Sequence, residues 1–225
     1  MIQQEVALNP VHVLSAGPFG RAVARHLHSL RGDLAHTDVA DNLVPLPSTW
    51  PAARIRVLVT WRPAAGLCEL LNQFSYETQR SFIPVMQDLT AIRVGPIVMP
   101  GNGPCWHCWI TRWRQHSGWV KERMALTQYY SSHPQDGPRG YLEPLAAMAA
   151  IRLDEVIAAV DAETAVPGYI WQIDVLTGEI NAGIVVGVHD CRWCGLSKPK
   201  ETRAVAELRQ ELRDLWWLEG AANKP

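Results

Sequence analysis

Net charge is almost absent from this chain: 21 Lys and Arg against 22 Asp and Glu leave −1 over 225 residues. So balanced a surface has no general attraction for nucleic acid or an acidic membrane, and neither is an expected partner. No run of 18 apolar residues occurs, which excludes a spanning helix. The opening MIQQEVALNPVHVLSAG lacks the basic start and long apolar stretch of a secretory signal, so the expected location is cytoplasmic. Internal repeats and low-complexity segments are missing too. Phenylalanine is scarce, at three residues, whereas tryptophan reaches ten. Several of these tryptophans lie beside cysteines or near the C-terminus, where partner contacts are an alternative to core filling.

Cysteine is also sparse, with five residues, and four of them form two CxxC pairs. GPCWHCW (103–109) supplies Cys105 and Cys108, and HDCRWC (189–194) supplies Cys191 and Cys194. Two-residue spacing lets both thiolates of a pair turn toward one ion, and two pairs complete a tetrahedral four-sulfur shell. In a reducing compartment such pairs read as metal before disulfide, with an iron–sulfur cluster as the rival to zinc. Redox CxxC pairs open a helix in a thioredoxin-like unit, which these flanks do not suggest. Four thiolates leave no open position, so the expected zinc is structural. A zinc ribbon closes within about 15–20 residues. This site closes a loop of more than eighty, which makes it a clamp on a domain rather than a finger. Cys68, among apolar residues on an expected helix, reads as a core thiol.

Along the chain, VHVLSAG (11–17) is a strand stopped by glycine, and RAVARHLHSL (21–30) has the spacing of a helix. A short strand is expected near 34–39. IRVLVT (55–60) suits a strand buried on both faces, and LCELLNQFSYETQR (67–80) a helix. Residues 81–101 are β-rich, with breaks at Asp88 and Gly95-Pro96, and helix follows the first cysteine pair. QYYSSHPQDGPRGY (128–141) reads as a loop, 142–163 as a buried helix, and 169–190 as two strands joined at Thr177-Gly178. The tail 201–220 is amphipathic. Strands alternating with helices argue an α/β fold with a mostly parallel sheet.

Ser15-Ala16-Gly17-Pro18-Phe19-Gly20 has the register of a dinucleotide turn, but serine replaces the first glycine and Pro18 removes a phosphate-facing N–H. As a nucleotide turn, Ser15, Gly17 and Gly20 are degenerate.

VHVLSAGPFGRAVARHL, RVGPIVMPGNGPCWHCWITRW and the strand pair leading to HDCRWC resemble the E1/ThiF-like partner proteins of YcaO-type cyclodehydratases, over roughly residues 11–195. These proteins belong to thiazole/oxazole-modified, bacteriocin-like peptide biosynthesis, where they are described as precursor leader-peptide-binding. The resemblance implies a Rossmann-like E1/ThiF-type domain over 1–200, closed by a four-cysteine structural zinc site, with residues 201–225 forming a C-terminal amphipathic helix. It also implies a scaffold without chemistry of its own, partnered by a YcaO-type enzyme and a precursor peptide, as a homodimer or hetero-oligomer. Adenylating relatives need an aspartate for Mg²⁺ after the central strand; here VLVTWRPA (57–64) offers Thr60-Trp61, and no ATP is expected to bind. The alternatives are an ATP-dependent adenylyltransferase acting on a peptide or carrier-protein C-terminus, or a dinucleotide reductase on the same turn. Tyr129, Tyr130 and Arg139 of the 128–141 segment, with Trp216 and Trp217, are the candidate peptide or partner contacts.

Overall fold

A computed structural model describes residues 9–39, 49–138 and 140–195. The elements follow as β1 (Asn9–Ala16), α1 (Gly17–Leu30), β2 (Leu34–Asp38), β3 (Ala53–Thr60), α2 (Ala65–Thr78), β4 (Ser81–Asp88) and β5 (Ala91–Val94). Then come α3 (Trp106–His116), α4 (Val120–Ser132), α5 (Glu143–Asp161), β6 (Tyr169–Asp174) and β7 (Ile180–Ile184). All seven strands join one sheet in the order β2-β1-β3-β4-β5-β6-β7.

The α/β class holds, but the sheet is mixed rather than mostly parallel. β2, β1, β3 and β4 pair in parallel; every pairing from β4 to β7 is antiparallel. For β4–β5 and β6–β7 the reason is connection length. β4 and β5 are joined by Leu89-Thr90 alone, with Leu89 at φ 54, and two residues cannot carry a crossover. β6 and β7 are likewise joined by a short turn, in which Asp174 Oδ1 accepts from the N–H groups of Leu176 and Thr177 at 2.9 Å.

β3 and β4 are buried on both faces, as their continuous apolar runs require. Val57 and Val59 face α1 and α5, where Phe19, Leu27, Leu153 and Ile157 complete one core. Leu58, Phe82 and Met86 face the opposite way, against Cys68 and Leu71 of α2 and Trp106 of α3. Ala146, Ala149 and Ala150 let α5 approach the core closely. β7, at the sheet's end, is exposed at all five positions.

The segment read as a loop from 128 is helical through Ser132. Hydroxyls bond back to the preceding turn there, Ser131 Oγ to Thr127 O at 2.9 Å and Ser132 Oγ to Gln128 O at 3.3 Å. Those contacts occupy side chains that would otherwise favour a turn, and Pro134 then bars continuation. Among the described residues no helix is long and apolar enough to cross a membrane.

Candidate metal centre and the sheet crevice

Cys105 is the N-cap of α3, Cys108 lies in its first turn, and Cys191 and Cys194 follow β7. The first pair thus opens the helix expected after it, yet it faces two more thiols rather than a redox partner. All four Sγ atoms lie within 4.8 Å of one another, and all four residues are buried. Cys105 Sγ is 3.4 Å from Cys191 Sγ and 3.8 Å from Cys108 Sγ; Cys108 Sγ is 3.2 Å from Cys194 Sγ. No two are bonded. A tetrahedral ion with metal–sulfur bonds near 2.3 Å requires sulfur–sulfur edges of about 3.8 Å, so the cluster fits one such ion.

The adjoining sulfurs favour one thiolate, at Cys108, and push the Cys105 and Cys194 thiols up. Hydrogen bonds from the Cys105 and Cys194 sulfurs pull the Cys108 thiol far below its usual range, helped by Val188 N–H at 3.3 Å. Cys68, by contrast, is fully buried away from such partners, and burial pushes its thiol up to about 12, as a core thiol.

Two residues of α2 hold the knuckles in place. Asn72 of α2, wholly buried, accepts from Trp106 N–H at 3.1 Å and thereby caps α3 beside Cys105. Glu69, one helical turn earlier, pairs with Arg192 and accepts from Trp193 Nε1 at 3.3 Å. It thus ties the second knuckle to the same helix. His107 Nδ1 stands 4.0 Å from Glu69, and His189 is exposed; neither replaces a sulfur ligand. Asn72 and Glu69 carry no sequence signal, because their role depends on α2 packing against α3.

Strand order reverses between β1 and β3, and the crevice beyond their C-terminal ends is where doubly wound sheets bind ligands. Gly17 opens α1 there at φ 73. A Cβ on Gly17 would overlap the indole of Trp61, and one on Gly137 would stand 2.7 Å from the same ring. Trp61 is thus sandwiched between the turn and the segment after α4. Arg62 fixes that arrangement, donating to the carbonyls of Tyr130 and Pro134 at 3.0 Å each. A cavity of about 280 Å³ remains beside Trp61, Thr60 and Leu70. Ser15 does not face the crevice: it is fully buried, its Oγ 2.8 Å from His36 Nε2 on β2. Gly20 lies against β3, where a Cβ would stand 2.6 Å from Val59 O.

Tyr130 is buried beneath Arg62, whose guanidinium lies 4.7 Å from its ring. Tyr129 is exposed and stacks on His133 at 4.1 Å. Arg139, Trp216, Trp217 and the expected tail helix lie outside the described residues.

No protein-family model matches the chain, and no curated protein matches it. Among solved structures, the heterocyclase TruD superposes with TM-score 0.59 at 19% identity, over 92% of this chain and 32% of its own. A heterocyclase in complex with substrate and cofactor gives 0.57 at 16%, over 84% of this chain and 26% of that one. E. coli MccB gives 0.58 at 14%, over 88% and 69% respectively. The E. coli microcin synthetase McbBCD complex gives 0.57 at 14%, over 85% of this chain and 70% of that one. At such identities the likeness shows a shared fold. The chain spans about a quarter to a third of the two heterocyclase chains.

Proposed function

We propose that this chain is a non-catalytic scaffold subunit of a ribosomal-peptide modification complex of the azole type. It binds precursor peptide and presents it to a YcaO-type cyclodehydratase or a related modifying enzyme. Cys105, Cys108, Cys191 and Cys194 hold a structural zinc, which supplies no open coordination position and so serves cohesion rather than chemistry. The E1/ThiF reading of the fold belongs to this proposal, and the fold shared with heterocyclases and microcin synthetase supports it.

The observation that carries the non-catalytic reading is Trp61. Its indole lies on Gly17, where a nucleotide would meet the turn, and it stands where an adenylating site needs an aspartate. A glycine there serves close approach of a ligand's phosphates; here the close approach is already taken by the ring. The residues of the crevice itself would have to withdraw before ATP could enter.

Titration calorimetry with ATP and Mg²⁺, together with ATP–pyrophosphate exchange, tests this on protein carrying one zinc per chain. No heat of binding and no exchange are expected. Mg²⁺-dependent exchange would sink the scaffold reading and favour the adenylyltransferase.

A further inference from the structure

The cavity of about 280 Å³ beside Trp61 lies on the α2 side of the sheet, and α2 begins at its wall. The N-cap of α2, Ala64, makes no side-chain bond, and the first turn carries no acid. The N–H groups of Ala65, Gly66 and Leu67 find no acceptor inside their own helix, as holds for the first turn of any α-helix. Among the described residues no other carbonyl or side chain accepts from them. All three residues line the cavity, and a Cβ on Gly66 would meet open space. Such a helix start favours negative charge.

A second, independent feature points to the same place. Thr60, the last residue of β3, is 1% exposed, and its hydroxyl makes no hydrogen bond. Side chains alternate along a strand, so Thr60 turns with Leu58 toward α2, away from the face of Val57 and Val59. It lines the cavity there. A buried hydroxyl left without a partner is costly, and a ligand that meets it recovers that cost. Backbone N–H groups only donate and a hydroxyl can donate as well, so the group that satisfies all of them is an acceptor.

Charge and size narrow the ligand further. No carboxylate lines the cavity, and its one charged residue is Arg62, held against the carbonyls of Tyr130 and Pro134. The acidic neighbours in sequence, Asp38, Glu69 and Asp136, are turned to Arg21, Arg192 and the Tyr129 hydroxyl. Pockets for drug-sized ligands run to about 300–1,000 Å³. This one is smaller, and Trp61 covers its Gly17 side, so it suits a compact group rather than a nucleotide.

We infer that this cavity binds a compact oxyanion, a carboxylate or inorganic phosphate, held by the N–H groups of Ala65, Gly66 and Leu67 and by the Thr60 hydroxyl. The site is distinct from the degenerate glycine turn, which lies at the start of α1 beneath the indole, whereas this one lies at the start of α2. The oxyanion site stands on this geometry alone; only its filling by the C-terminal carboxylate of a peptide rests on the scaffold reading.

The test follows the backbone amides by NMR in the nitrogen-labelled, zinc-loaded full chain. The probes are sodium acetate, inorganic phosphate, and tetra-alanine as the free acid or the C-terminal amide, with chloride holding ionic strength constant. Acetate and phosphate are expected to move the Gly66 and Leu67 amides saturably, at millimolar concentration. Thr60→Val keeps the side chain's shape and removes the hydroxyl, a change close to neutral for stability where the hydroxyl is unpaired. It is expected to weaken both anions by about tenfold, the worth of one hydrogen bond to a charged group, with the anion-free urea midpoint unchanged. Thr60→Ser should hold the affinity within about twofold. Binding of the free-acid peptide but not its amide makes a chain end the source; binding of phosphate or acetate but of neither peptide makes it a free small anion. Shifts no larger than chloride produces, or equal affinity in T60V, would overturn the site. Either failure leaves the scaffold reading standing while ATP–pyrophosphate exchange is absent; exchange removes that reading whether or not the oxyanion binds.

Discussion

Gly17 and Gly20 sit three residues apart and serve different ends. Gly17 needs its positive φ and leaves room for the Trp61 ring, whereas Gly20 lets α1 lie on the backbone of β3. A methyl at Gly20 meets the carbonyl of Val59, which cannot swing aside as a side chain can. Gly20→Ala is therefore expected to cost about 1–3 kcal/mol, the usual range for overpacking, read as a lower urea midpoint at unchanged slope. The sequence announces both glycines and the missing aspartate. It does not announce that Trp61 fills the space, because the ring's position depends on Gly137, more than seventy residues downstream. His12 is equally silent. It is wholly buried on β1, its Nε2 2.9 Å from Thr37 Oγ1, and burial, then Arg56 and His36, lowers its pKa from 6.5 to about 4. Between those two values the unfolded chain binds a proton that the folded chain refuses, so stability falls as pH drops through that window and levels off below it. The loss from this group reaches about 3 kcal/mol at most. Urea midpoints at pH 7 and 4.5 should converge in His12→Gln relative to the parent; an equal drop in both proteins would assign the acid sensitivity to other groups.

At the scale of elements, the cysteine pairs are the most legible feature of the chain, since sulfur ligation constrains residue type and spacing alone. What the pairs fasten is less so. The first caps α3, the second follows β7, and both rest on α2 through Asn72 and Glu69. Three elements thus meet at one four-sulfur cluster. A ligand that binds the folded chain a thousandfold above its Kd stabilises it by about 4 kcal/mol. Stripping the metal with phenanthroline should lower the unfolding midpoint by a comparable free energy, and zinc should restore it. Asn72→Ala leaves the Trp106 N–H without its cap in a buried place, and should cost about 1–3 kcal/mol while keeping all four sulfurs. An unchanged midpoint in that variant would mean water caps the helix as well as Asn72 does. The tail of α4 shows the opposite limit: QYYSS is rich in turn formers, and only hydroxyl back-bonding within the folded helix reveals it as helical.

For the whole molecule, the sheet divides into unequal halves. The parallel half is covered by α1 and α5 on one face and α2 on the other, whereas β7 is exposed at all five positions among the described residues. Alternating strands and helices make the parallel half readable from sequence. The antiparallel half is not, because two short turns and the long return from β5 to β6, rather than the pattern of its strands, set its direction. Cohesion should follow the same division. Protection from exchange tracks local opening, so β1, β3 and β4 should exchange slowest and β7 fastest. The four-cysteine clamp adds a further expectation, because residues 185–191 run directly from β7 into the second knuckle. Chelation frees that segment from α3, and exchange should rise over β7, the knuckles and the first turn of α3. β1 and β3, in the parallel half of the sheet, should keep their protection. Hydrogen exchange with mass-spectrometric detection, with and without chelator, separates the possibilities. A rise confined to the antiparallel half makes the metal a local clamp. Loss of protection across β1 and β3 as well would make the metal a condition for the entire fold.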